Sequence, residues 1–98
     1  MKTKVTHEQL HFDIAEYHRR LFLQKISESN ATENMFAATA RSIFRDVIEQ
    51  RKAMNMEYDE QTDIGQNDAE QKKWNEKLSS FILSLDKYKE HTTTVIYK

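Results

Sequence analysis

The sequence predicts a mainly α fold, a three-helix bundle with a short C-terminal strand, on three observations. Thr6 with Gln9, Asn30 with Glu33, and Asn67 with Glu70 have capping-box spacing; apolar stripes of helical period follow each pair; and the chain holds no proline and one glycine, Gly65. In a capping box a short polar side chain and a longer one satisfy each other's free backbone amides, so three boxes mark three helix starts.

The first helix is expected from about Thr6 to Glu28, with Leu10, Ile14, Tyr17 and Leu21 on one stripe. The second, from about Ala31 to Met56, carries Phe36, Ala40, Ile43, Phe44 and Val47 at the same spacing. A polar stretch from about Glu57 to Gln66, holding Gly65, reads as the one substantial loop. The third helix, from about Asp68 to Glu90, reads Trp74, Leu78, Phe81, Leu85 and Tyr88. Beyond His91, Thr92-Thr93-Thr94-Val95-Ile96-Tyr97 is β-branched and aromatic, which favours an extended strand. Aromatics at helical spacing are read as core rather than pocket lining, and Met54 with Met56 as gap fillers.

A chain of 98 residues makes one small domain spanning 1–98 or a piece of a larger one, and its core must be small. Hydrophobic residues make up 38% and charged residues 32%, a polar balance that makes a protein partner or a homo-oligomer plausible. Fifteen basic and sixteen acidic residues are interspersed, leaving no basic stripe for a nucleic-acid backbone. Without cysteine there are no disulfides and no thiolate metal sites. No apolar stretch approaches a membrane span, and Met1-Lys2-Thr3-Lys4 lacks the apolar core of a signal peptide, so as written the chain reads as unexported.

The chemistry sits in His7-Glu8-Gln9-Leu10-His11, a His-Glu-x-x-His motif. On a helix, histidines four apart point the same way and can converge on one ion, at roughly 2 Å from each ring nitrogen. Glu8 lies about 100° around the helix from His7, where it could take a proton from an activated water. His18 shares the face, but seven residues separate it from His11, a rise of about 10 Å, so it is not a third ligand to the same ion. It is left as a hydrogen-bonding neighbour, a substrate contact or a core histidine. Asp13 and Glu16 could orient ligand histidines. Arg19 and Arg20 read as a solvated edge of the helix.

The stretch from His7 to Glu16, His-Glu-Gln-Leu-His-Phe-Asp-Ile-Ala-Glu, resembles the signature of an uncharacterised bacterial family described as predicted secreted zinc-dependent proteases. Tyr58-Asp59-x-x-Thr62-x-x-Gly65, followed by Gln71-x-x-Trp74, resembles that family's second block. The likeness runs from His7 to about Leu85 and corresponds to the C-terminal half of a family member. It implies the helical half of a zincin-like metallopeptidase: zinc as cofactor, a peptide or protein as substrate, His7 and His11 as ligands, Glu8 as catalytic base, and a secreted or periplasmic location.

Two departures from the family bear on the site. Members often have a histidine just before the glycine of the second block, where this chain has Ile64. Asp63 is therefore the expected third ligand, with Asp59 in the same loop and Glu33 on the second helix as alternatives; all three are also ordinary solvated acids. The family's strand-rich segment, which in zincins holds an extended substrate, is expected upstream of the histidine helix and is not in this sequence. The rival expectation is a non-catalytic helical module, inhibitor-like or immunity-like, that binds a protein partner.

Overall fold

The computed structural model describes residues 2–90, 95 and 96, with side chains from Thr6 onward. Helix α1 spans Lys2–Ser27 and so begins about a turn before Thr6. No proline or glycine stands ahead of Thr6 to stop it. After α1 the chain turns through a short 3-10 segment, Glu33–Met35, whose cap is Thr32 rather than Asn30: the Met35 amide donates to Thr32 Oγ1 at 3.3 Å.

Helix α2 then spans Phe36–Gln61, starting and ending about five residues later than the apolar stripe suggested. Its C-terminal extension changes the reading of the site. Glu57 and Glu60 are exposed and read as loop, but Tyr58 between them is fully buried, and burying an aromatic of that size is worth about 1.5–3 kcal/mol. Packing of Tyr58 carries the helix onward where local sequence is indifferent. The stop comes from left-handed backbone, with φ of 52° at Asp63, 54° at Ile64 and 87° at Gly65. A β-branched residue such as Ile64 adopts that region only under constraint. Here the constraint is a set of backbone hydrogen bonds, among them Ile64 N to Asp59 O at 2.9 Å and Asn67 N to Thr62 O at 2.8 Å.

Helix α3, Asp68–Ser84, starts where the third box places it: the Glu70 amide donates to Asn67 Oδ1 at 3.1 Å, with Asp68 and Glu70 favourably placed at the positive helix end. It is shorter than expected and gives way to a 3-10 turn, Asp86–Tyr88. The strand expected over Thr92–Tyr97 lies mostly outside the described residues; Val95 and Ile96 carry no regular structure, and there is no strand among the described residues.

Helix α1 packs against both neighbours. It is antiparallel to α2, pairing His7 with Asp59, His11 with Asn55 and Phe22 with Phe44. It is parallel to α3, pairing His7 with Gln71, Arg20 with Ile82 and Ser27 with Tyr88. The result is an elongated layer of 50 × 22 × 16 Å. Its core gathers at the end carrying the motif: Leu10 and Ile14 from α1, Tyr58 from α2, Trp74 and Leu78 from α3, with Tyr17 and Met54 packed against them. Trp74 is core as expected. The α2 stripe is less buried than its periodicity implies, since of its five members only Val47 is buried and Phe44 is 52% exposed.

Arg19 and Arg20 are not a solvated edge. Arg19 clasps Glu16 in a fork, Nε to Oε1 at 2.9 Å and Nη2 to Oε2 at 2.7 Å, and donates to the Lys89 and Glu90 carbonyls at 2.8 and 3.0 Å. Arg20 donates to Glu16 at 2.6 Å and to the Ile82 carbonyl at 3.0 Å. Arg20 thus reaches the last turn of α3, and Arg19 the carbonyls just after the 3-10 turn that follows it. The Arg19 hydrogen bond is the largest cause holding Glu16 down to a pKa of about 2, from an ordinary 4.5. A carboxyl with a depressed folded-state pKa stabilises the fold above its unfolded pKa and loses that contribution as pH falls toward the folded value. Glu16→Gln is therefore expected to cost about 1 kcal/mol at pH 7, a drop in Tm of roughly 4–8 °C. The gap between variant and wild type should close between pH 4.5 and about 2 in thermal melts; a gap constant across that range would remove the ion pair as its cause.

Candidate metal centre

One helical turn on α1 faces one helical turn on α2, so two residues of each meet: His7 and His11 on one side, Asn55 and Asp59 on the other. His7 Nε2 and His11 Nε2 each stand 2.8 Å from Asp59 Oδ1. The potential ligand atoms of these three residues lie within 4.8 Å of one another. His7 is 1% exposed, whereas the side chains of His11 and Asp59 are 27% and 43% exposed, so the cluster has a closed floor and one face open to solvent.

The polarity of the surrounding hydrogen bonds determines what the centre can hold. The carbonyl of His7 only accepts, so the Tyr58 hydroxyl, 3.0 Å away, donates to it. The Tyr58 oxygen then accepts from Gln71 Nε2 at 2.6 Å, and the same amide nitrogen donates to Asn75 Oδ1 at 3.0 Å. Gln71 Oε1 is thereby turned toward His7 Nδ1 at 3.0 Å, which must carry the proton. On His11, Nδ1 stands 2.7 Å from Asn55 Oδ1. A neutral ring with its proton on Nδ1 has a bare lone pair on Nε2. The Nε2 atoms of His7 and His11 converge with Asp59 Oδ1, and two imidazole nitrogens with a carboxylate oxygen are a donor set that can hold a divalent cation.

The shell around His7 is tight. Its ring stacks on Tyr58 with centroids 4.4 Å apart and planes 15° from parallel. Burial, the largest cause, pushes the Tyr58 hydroxyl up to a pKa of about 12; Asp59, Glu8 and Asp13 push the same way, so it stays protonated as a donor. Gly65 closes the other side: a Cβ placed there would sit 2.8 Å from His7 Cβ and 2.9 Å from Cγ. The electrostatic setting suits a cation as well. Residues 53–71 carry six acids, Glu57, Asp59, Glu60, Asp63, Asp68 and Glu70, and no lysine or arginine.

Of the residues singled out in the sequence, His7 and His11 come together and Glu8 lies exposed on the same turn of α1. Asp63 is exposed in the left-handed turn and is not in the group; Asp59, on the extended last turns of α2, is. Ile64 is 66% exposed beside it, and Glu33 is exposed in the first 3-10 turn. Asp13 is bonded by Gln9 at 3.4 Å and Glu16 by the arginines, and the ring Nδ1 atoms are instead met by Gln71 and Asn55. His18 is buried and donates from Nδ1 to the Ile14 carbonyl at 2.8 Å; burial is the largest cause lowering its pKa, as expected for a neutral histidine satisfied by its own helix.

Neither the curated proteins nor the solved structures include a match to the chain. A family model does match: the bacterial protein of unknown function DUF922, over residues 1–67. That span takes in the histidine helix, Asn55, Asp59 and Gly65, and ends just short of Gln71. The description names no reaction, so the chemistry rests on the geometry, but the match covers more than half of the 98 residues, and the chain belongs to this uncharacterised bacterial family.

Proposed function

We propose that this chain carries a zinc-dependent peptidase centre in which His7, His11 and Asp59 are the metal ligands and Glu8 is the general base. The observation that supports it most is the convergence of two imidazole Nε2 atoms and Asp59 Oδ1, with the far nitrogens of the two rings engaged by Gln71 and Asn55. Two imidazoles and a carboxylate with one open side are the donors expected of a catalytic zinc site, and hydrogen bonds to the far ring nitrogens are its usual support. Zinc held there supplies a Lewis acid that polarises a carbonyl and makes water acidic near neutral pH. The exposed Glu8 carboxylate takes a proton from the attacking water and returns it to the leaving amine. Asp59 contributes the negative charge of the ligand set, and the acid-rich surroundings raise the local cation concentration.

The test begins with protein stripped of metal and titrated with zinc, alongside His7→Ala and Glu8→Gln. Wild type should bind one equivalent and His7→Ala should bind more than about 100-fold more weakly, because losing a ligand exceeds the 10–100-fold cost of losing a supporting bond. Glu8→Gln should bind zinc within about threefold of wild type, while cleavage of an unfolded protein substrate drops by about 10²–10⁴, the usual contribution of a general base. Equal zinc binding by wild type and His7→Ala would sink the centre. Tight binding without cleavage by wild type would sink the peptidase step and leave a metal-stabilised interaction module.

A further inference from the structure

We propose that Gln71 is the positioning residue that makes His7 a ligand, so that docking of α3 onto α1 and α2 brings the metal centre into its binding form. The inference rests on the metal-centre reading and adds a condition to it: the ligands lie on α1 and α2, but the group that orients one of them comes from the third helix.

The argument is the closed ring of hydrogen bonds. It leaves the His7 carbonyl, passes through the Tyr58 hydroxyl and the Gln71 amide, and returns to Nδ1 of the same histidine. Its direction is fixed at one point, because a carbonyl never donates. If the Gln71 amide were reversed, Oε1 would face a Tyr58 oxygen whose proton is already given to His7, two acceptors at 2.6 Å. The amide nitrogen would then meet Nδ1 and drive the ring proton to Nε2, where no metal can bind. Thr62 reinforces the direction: its hydroxyl donates to the Tyr58 carbonyl at 2.7 Å, leaving only an acceptor toward His7 Nδ1 at 3.5 Å. Gln71 is 3% exposed and its three hydrogen bonds are all to side chains, so water does not substitute for it freely. His11 has no such link to α3, being held by Asn55 within the α1–α2 pair.

The proposal separates the two histidines, and that separation is measurable without catalysis. Long-range ¹⁵N–¹H NMR of the metal-free protein reports which ring nitrogen carries the proton. In wild type His7 should carry a proton on Nδ1, held by Gln71 Oε1. Gln71→Met, of similar size but without the acceptor, should move His7 toward the Nε2-protonated form, leave His11 unchanged, and weaken zinc binding by 10–100-fold. Tyr58→Phe, which frees the amide to turn, should weaken binding by about tenfold with the same change at His7. Unchanged His7 protonation and zinc affinity in Gln71→Met would overturn the proposal. Should that variant lose the His11 signature through unfolding, wild-type behaviour in Tyr58→Phe would overturn it equally. A wild type that binds no zinc would remove the metal reading, while the metal-free NMR comparison would still decide whether Gln71 fixes the ring.

Discussion

Asp59→Ala is expected to weaken zinc binding by more than about 100-fold, whereas Asp63→Ala, four residues along, should leave it within about twofold, as measured by calorimetric titration. The two acids are alike in charge and neighbourhood, and the difference is entirely one of place. Asp59 Oδ1 stands 2.8 Å from both ring nitrogens, while Asp63 is exposed in the turn after α2 and absent from the cluster. A hundredfold loss is about 2.7 kcal/mol of binding free energy. At zinc concentrations about a thousand times the wild-type Kd, wild type gains roughly 4 kcal/mol of stability and the variant roughly 1.4, so their melting temperatures in zinc should separate by about 10–20 °C. Equal effects of the two substitutions would mean that the acids act through the general negative field and that neither is a ligand.

Gly65→Ala should be among the most destabilising single changes, about 2–4 kcal/mol by urea unfolding, from two independent causes. The φ of 87° disfavours any side chain, which accounts for about 1–2 kcal/mol. The added methyl also meets His7 Cβ at 2.8 Å and Nδ1 at 3.2 Å. Those are the root and the hydrogen-bonded nitrogen of a ring already pinned by Tyr58 and Gln71, so neither can swing aside cheaply. Movement of His7 should also weaken zinc binding by at least about tenfold. The contrast is Ile64→Gly, one residue earlier at φ 54° but 66% exposed: relieving left-handed strain without disturbing a contact should be neutral or stabilising by about 1 kcal/mol. A Gly65→Ala variant as stable as wild type would mean that the turn can move away from α1.

What was legible in the sequence follows the range of the interaction. Asn67 marks the start of α3 because a side chain capping an amide three residues on needs nothing distant. Asn30 misleads because Thr32, two residues later, competes for the same role. The apolar stripes of α1 and α3 point to the buried Leu10, Ile14, Trp74 and Leu78, but the α2 stripe overstates burial, since periodicity indicates which face is apolar and not whether a neighbour covers it. Arg19 and Arg20 look like solvated charges until the last turn of α3 and the segment after it bring the Ile82 and Lys89 carbonyls beside them. Asn55 and Gln71 carry no local signal for their part in the centre, because each acts on a histidine 44 or 64 residues away.

The sequence by itself determined three helices, a single glycine turn, and two histidines on one face of α1 with a glutamate beside them, since four-residue spacing on a helix is a local consequence of 3.6 residues per turn. Only the tertiary structure sets the acids apart. Burial of Tyr58 carries α2 about five residues past the end its apolar stripe suggests, and that extension places Asp59 opposite His7 and His11 while the left-handed turn leaves Asp63 in solvent. The partners of the ring nitrogens were likewise decided by packing, because Gln71 comes from α3 and Asn55 from α2. Local chemistry set the two imidazoles, and long-range packing brought the Asp59 carboxylate against both.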